Sequence, residues 1–135
     1  MAHIGFRVDG GPTIGMGHIM RCLSLASSFP KDTDISFIVR NNPGLSKVLG
    51  EHNVNILEID SDQTVAEEII QLNNIVNENN IDILITDSYQ IDQDYLMDLK
   101  KFTNKLVCIH DFAPFSFPVD LLINGNIYAH RLDYK

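Results

Sequence analysis

Two periodicities alternate along this chain. His3 to Asp9 is a short apolar stretch of strand length, and a glycine-rich loop, Gly10 to Gly17, follows it. From His18 the spacing changes: Ile19, Cys22, Leu23 and Ala26 recur at helical intervals until Phe29 and Pro30 end the helix. Ile35 to Arg40 is a second strand, and Asn41-Asn42-Pro43-Gly44 is turn punctuation. Pro43 is suited to open a short helix through Leu49, which Gly50 stops. Val54 to Ile59 is a third strand. Thr64 and Glu67 then have the spacing of a capping box, and Val65, Ile69, Leu72 and Val76 form one stripe of a helix running to about Asn79. Ile81 to Thr86 is apolar apart from Asp82 and reads as a strand buried on both faces, with Asp87-Ser88-Tyr89 as its exit. Asp92 caps a helix carrying Tyr95, Leu96 and Leu99, Leu106 to Ile109 is a fifth strand, and Leu121 to Ile123 a sixth.

Strands alternating with helices over the whole chain imply right-handed crossovers and a parallel sheet covered on both faces. The expected fold is therefore α/β, a Rossmann-like parallel sheet sandwiched by helices. Such sheets bind ligands outside the carboxyl ends of their strands, where strand order reverses. That singles out three loops: Asp9 to His18, Asp87 to Gln90, and His110 to Phe117. No repeat, low-complexity tract or linker divides the chain, so it reads as one domain.

Composition narrows the chemistry. With 135 residues, 44% of them hydrophobic, the chain can bury a core without metal or disulfide. Ten basic against eighteen acidic residues give a formal charge of −8, and like charges form no block, which disfavours nucleic acid as a partner. Apolar runs fall well short of the roughly 18 residues of a membrane span, and the N-terminus lacks the basic and apolar regions of a signal peptide. A cytoplasmic protein without membrane contact is expected. Cys22 and Cys108 lie within apolar stretches, as buried reduced thiols do. His3, His52 and His130 have no ligand spacing with one another or with the cysteines, so no metal is expected.

Asp9-Gly10-Gly11-Pro12-Thr13-Ile14-Gly15-Met16-Gly17-His18 carries the strongest local signal. Glycines after a first strand permit close backbone approach, and the helix start offers unpaired N–H groups, a combination suited to an anion or a sugar diphosphate. The glycine spacing is not that of a dinucleotide fingerprint, and the second strand ends in Arg40-Asn41 without an acidic residue; no Walker lysine is present either. No cofactor is expected. A phospho-receiver is also disfavoured, because Lys105 precedes its strand rather than ending it. His18 falls in the first turn, where the helix dipole disfavours imidazolium and favours a neutral ring able to accept a proton. Arg21 shares its helical face and can meet a phosphate or hold a carboxylate. Equally, His18 can be a mere helix cap and Arg21 a solvated surface cation.

Phe6-Arg7-Val8-Asp9, Ile14-Gly15-Met16-Gly17-His18, Met20-Arg21-Cys22-Leu23 and Leu25-Ala26 together resemble the opening of the UDP-sugar hydrolases of pseudaminic-acid biosynthesis, which are grouped with spore-coat polysaccharide biosynthesis proteins. Leu84 to Tyr89, Ile109-His110-Asp111, Leu122 to Asn126 and Tyr128-Ala129 agree in order and spacing. The resemblance implies the N-terminal half of a GT-B-type two-lobed fold. Residues 1–135 would then be a catalytic N-terminal domain, with the C-terminal nucleotide-binding lobe outside this chain. It further implies metal-free hydrolysis of a UDP-linked 2,4-diacetamido-2,4,6-trideoxy sugar to UDP and free sugar, with His18 as the base that activates water.

On that footing the expected substrate-binding residues are Asp9, Gly15, Gly17, Arg21, Asp87, Tyr89, Asp111, Asn124 and Asn126. Each has a plainer reading: turn chemistry for Asp87, a half-buried ring for Tyr89, an Asp-stabilised loop for His110-Asp111, a tight turn at Gly125 for the two asparagines. Arg7 inside the first strand needs a carboxylate, for which Asp9 and Asp111 are the candidates. Two other functions compete with hydrolysis. One is a GT-B glycosyltransferase lobe that excludes water and passes the sugar to an acceptor; the other is a non-catalytic module that senses sugar nucleotides.

Overall fold

The computed structural model describes residues 2–9, 16–41, 43–87, 92–109 and 121–123. Six parallel strands form one sheet: β1 (His3–Val8), β2 (Asp34–Arg40), β3 (Asn55–Ile59), β4 (Ile83–Asp87), β5 (Lys105–Ile109) and β6 (Leu121–Ile123). Four helices alternate with them: α1 (Gly17–Ala26), α2 (Pro43–Gly50), α3 (Val65–Glu78) and α4 (Gln93–Lys100). The strand order is β3-β2-β1-β4-β5-β6. This is the doubly wound Rossmann arrangement, whose order reverses between β1 and β4.

Period-two alternation divides the core between the two faces. Ile4, Phe6 and Val8 of β1, with Phe37 and Val39 of β2, pack under Ile19, Cys22 and Leu23 of α1 and Leu45 and Leu49 of α2. Phe6 and Phe37 are register partners and stack with ring centroids 5.0 Å apart. On the other face Ile38, Leu84 and Leu106 meet Leu72 and Val76 of α3 and Leu96 and Leu99 of α4.

The local signals act where their chemistry places them. In α3 the Thr64 hydroxyl accepts from the Glu67 amide at 3.2 Å while the Glu67 carboxylate accepts from the Thr64 amide at 2.9 Å, closing the capping box. The Asp92 carboxylate accepts from the Tyr95 amide at 2.9 Å to start α4. Two boundaries differ from the pattern. Ile81 is not strand: its amide donates to Val76 O at 3.1 Å, Asn80 takes φ 52°, and the pair closes α3 as a left-handed C-terminal cap. The strand therefore starts at Ile83 and extends to Asp87. Gly5 lies beneath that cap, where a Cβ would come within 3.0 Å of the Ile81 side chain. Val65, placed on the apolar stripe of α3 by spacing, is 63% exposed, and Glu68 takes the inward position with Leu72 and Val76.

Candidate functional site

The reversal of strand order sets Val8 of β1 beside Asp87 of β4 as register partners at the carboxyl edge of the sheet. Asp87 is the last residue of its strand and is almost completely buried, with 1% of its side chain exposed. Its carboxylate receives three side chains of α1, the helix that starts immediately beyond the glycine loop. His18 Nδ1 lies 2.6 Å from Oδ1; Arg21 donates from Nη2 to Oδ1 at 2.6 Å and from Nε to Oδ2 at 2.9 Å. The Cys22 thiol donates to Oδ2 at 3.5 Å.

Helical spacing explains the convergence: residues 18, 21 and 22 are three and four apart and share one face, which lies over the end of β4. His18 is not the cap of α1. Met16 occupies that position and makes no side-chain capping bond. Arg21, expected to meet a phosphate or hold a carboxylate, holds the carboxylate, and does so through both oxygens.

Geometry fixes the ring's tautomer. A carboxylate gripped on both oxygens by a guanidinium can only accept, so the proton in the His18 contact belongs to Nδ1. Arg21 Nη2, 3.3 Å from the same nitrogen, is then a neighbour rather than a donor to it. In the neutral ring the basic lone pair falls on Nε2. The His18 side chain is 11% exposed and that of Arg21 30%, so the cluster is closed at Asp87 and opens toward solvent along α1. Burial, and then the charge of Asp87, pushes the Cys22 thiol far above its ordinary range, so Cys22 acts as a hydrogen-bond donor and not as a nucleophile.

A second polar cluster occupies the other face. Arg7 is fully buried and donates from Nη1 to Val8 O at 3.1 Å and to Asp9 Oδ1 at 2.8 Å, and from Nη2 to Glu68 Oε2 at 3.3 Å. Arg40, at the end of β2, donates to Glu68 Oε1 at 3.2 Å, and the Tyr95 hydroxyl donates to Glu68 Oε2. Burial pulls the Arg7 guanidinium toward deprotonation, but Tyr95, Asp9 and Glu68 together outweigh it and hold the charge firmly. Arg7 thus finds Asp9, one of its two candidates, while the Glu68 contact escapes the sequence reading. Its signal was Glu68 at i with Leu72 and Val76 at i+4 and i+8, a carboxylate inside an apolar stripe.

Among the expected site residues, the structure brings together His18, Arg21 and Asp87. Asp9 is drawn instead toward α3 by Arg7. Gly17 is the first residue of α1, with open space where a Cβ would stand. Gly15, Tyr89, His110, Asp111, Asn124 and Asn126 lie outside the described residues. Among the described residues no three His, Cys, Asp or Glu side chains are grouped as a metal would need, and no helix is long and apolar enough to cross a membrane.

No family model matches the chain. No curated protein matches it either. A solved structure, that of Acinetobacter baumannii MurG, shares the fold with a TM-score of 0.68 at 11% identity, covering 87% of this chain and 37% of that one. The chain spans little more than a third of the length of that structure. MurG is a GT-B glycosyltransferase, and the match falls on its N-terminal part, so this chain has the architecture of one GT-B lobe. The expectation of a hydrolase is corrected here: the structural likeness is to a glycosyltransferase, and neither hydrolysis nor a place in pseudaminic-acid or spore-coat synthesis receives support.

Proposed function

We propose that this chain is the N-terminal lobe of a GT-B glycosyltransferase and that it supplies the base which deprotonates the acceptor. The observation that carries the reading is the His18–Asp87–Arg21 cluster at the reversal of strand order, where open α/β sheets gather their ligands. Asp87 holds the ring so that its basic nitrogen is Nε2, and Arg21 holds Asp87. An acceptor hydroxyl placed against Nε2 gives up its proton to the ring as its oxygen bonds to the anomeric carbon of the donor. The bond from that carbon to the diphosphate oxygen breaks, and the nucleoside diphosphate leaves with the electron pair. Direct displacement inverts the anomeric centre. The diphosphate needs little acid assistance as a leaving group, so one well-placed base can serve.

Among the described residues the cations at this edge are already engaged with carboxylates: Arg7 and Arg40 with Glu68, Arg21 with Asp87. That supports a division of labour in which a second lobe grips the diphosphate and this one faces the acceptor and the reacting carbon. The sequence resemblance supports a UDP-linked acetamido sugar as donor. Gly17, Tyr89, Asp111, Asn124 and Asn126 remain candidates for its contacts, along with Gly15.

The test is UDP release by a two-lobed polypeptide carrying this lobe, given UDP-N-acetylglucosamine and related UDP-acetamido sugars, with and without added saccharide acceptors. Release that depends on an acceptor, with the sugar recovered on it in the inverted configuration, is expected. Release indifferent to every acceptor, or none at all with any donor, overturns the reading; the latter outcome fits a sensing module. Alone, the 135-residue chain presents one wall of a cleft and should bind UDP more weakly than micromolar by titration calorimetry.

A further inference from the structure

Arg7 stands where the fold needs no charge. It occupies the face of β1 that packs on α3 and α4, its register partners are Ile38 of β2 and Thr86 of β4, and an aliphatic side chain would fill the position as it does elsewhere on that face. Burying a guanidinium there requires two buried carboxylates, a tyrosine hydroxyl and a second arginine, and still leaves Arg7 Nε without a hydrogen-bond partner among the described residues. Buried ion networks of this kind add little to stability compared with well-packed apolar groups, so fold stability alone does not account for it.

What the network does secure is a point in space. The same Nη1 atom of Arg7 turns back along its own strand and binds the Val8 carbonyl and the Asp9 carboxylate, the last two residues before the glycine loop. Glu68 of α3 fixes Nη2, Tyr95 of α4 fixes Glu68, and Arg40 of β2 closes the network on its exposed side. Val8, held by this clamp, is the rung partner of Asp87, which holds His18. One strand residue therefore separates the buried network from the base, and the loop between them starts from Asp9 and ends at the helix that bears His18.

We infer that Arg7 is a positioning residue for the His18–Asp87 pair: it sets where the chain leaves β1, and thereby how α1 presents the imidazole to the carboxylate. The inference rests on the reading of His18 as the base. Its test does not require turnover. The ring nitrogens of His18, followed by nitrogen-15 NMR in the 135-residue chain, report which nitrogen carries the proton. The unsubstituted chain should show a single Nδ1–H form. Arg7→Met should convert that single pattern into a mixture with the Nε2–H form, and so should Asp9→Asn, which keeps the side-chain shape and removes its charge. Leu99→Ala, a cavity one helical turn from Tyr95 that removes no polar partner of the clamp, should lower the melting temperature and leave the His18 pattern single.

Should Arg7→Met lose its dispersed amide spectrum, Asp9→Asn decides the matter. An unchanged His18 pattern in the folded variants, or the same mixture in Leu99→Ala, overturns the positioning role while leaving the base assignment intact. A predominant Nε2–H form in the unsubstituted chain removes the base assignment itself, and this inference with it.

Discussion

The two faces of the sheet treat the same chemistry differently. Each carries an arginine gripping a carboxylate at the carboxyl end of a central strand, Arg21 with Asp87 under α1 and Arg7 with Asp9 and Glu68 under α3. On the α3 side, Arg7 and both its carboxylates are sealed from water and joined by a tyrosine. On the α1 side only the carboxylate is sealed; the histidine and the arginine that reach it come from the first two turns of a helix and stay in part exposed. Arg7 and its two carboxylates offer no exposed group to a ligand, so the closed cluster is suited to holding position. The half-open one combines a fixed anchor with a group that can meet a ligand, which is the arrangement acid–base chemistry requires.

Substitutions should separate the two along that line. The largest effect is expected for His18→Ala in a two-lobed protein: a fall in kcat of about 10²–10⁴-fold, read from initial rates of UDP release, with little change in melting temperature. The largest effect on stability is expected for Glu68→Ala. It strands Arg7 in the interior, and breaking a buried pair in this way costs about 3–5 kcal/mol, measurable by urea denaturation. Arg40→Ala addresses the same carboxylate from a side chain that is 38% exposed, and should cost less than about 1 kcal/mol in the same assay. Equal losses for Glu68→Ala and Arg40→Ala would mean that the network is not closed as described.

Alkaline titration gives the smallest and most selective contrast. Burial raises the Cys22 thiol above its usual value of 9.0, burial raises Cys108 to about 11, and burial raises the Tyr95 hydroxyl above its usual 10.0. A group whose folded value is raised gives stability that is complete below its unfolded value and is lost as pH climbs. Melting temperature should therefore begin to fall near pH 9, through the thiols, and fall further above pH 10 as Tyr95 joins. Replacing both cysteines by alanine should move the onset up to the tyrosine's range.

Much of this architecture is written in local pattern. The order of strands and helices follows from changes of period, and Thr64, Asp92 and Pro43 each mark a start that the structure keeps. The candidate site was legible where its members share a helix: His18 and Arg21 were expected on one face of α1 and Asp87 at a strand end, whereas Cys22, read only as a buried thiol, joins them through the Asp87 carboxylate. Glu68 was not legible in the same way, because a carboxylate in an amphipathic helix ordinarily faces water. Only its pairing with Arg7, 61 residues away and across a sheet layer, turns it inward. The start of β4 was set too early for a related reason. Ile81 looks like strand by composition, but its amide is already committed to a helix carbonyl.

The strand order also decides which parts of the sheet tolerate change. β1 and β4, which carry the loop root and the anchor aspartate, are flanked by hydrogen-bonded neighbours on both sides, whereas β3 and β6 form the margins. Insertions or trimming at either margin leave untouched the pairing of β1 with β4, on which the spacing between Val8 and the carboxylate beneath His18 depends.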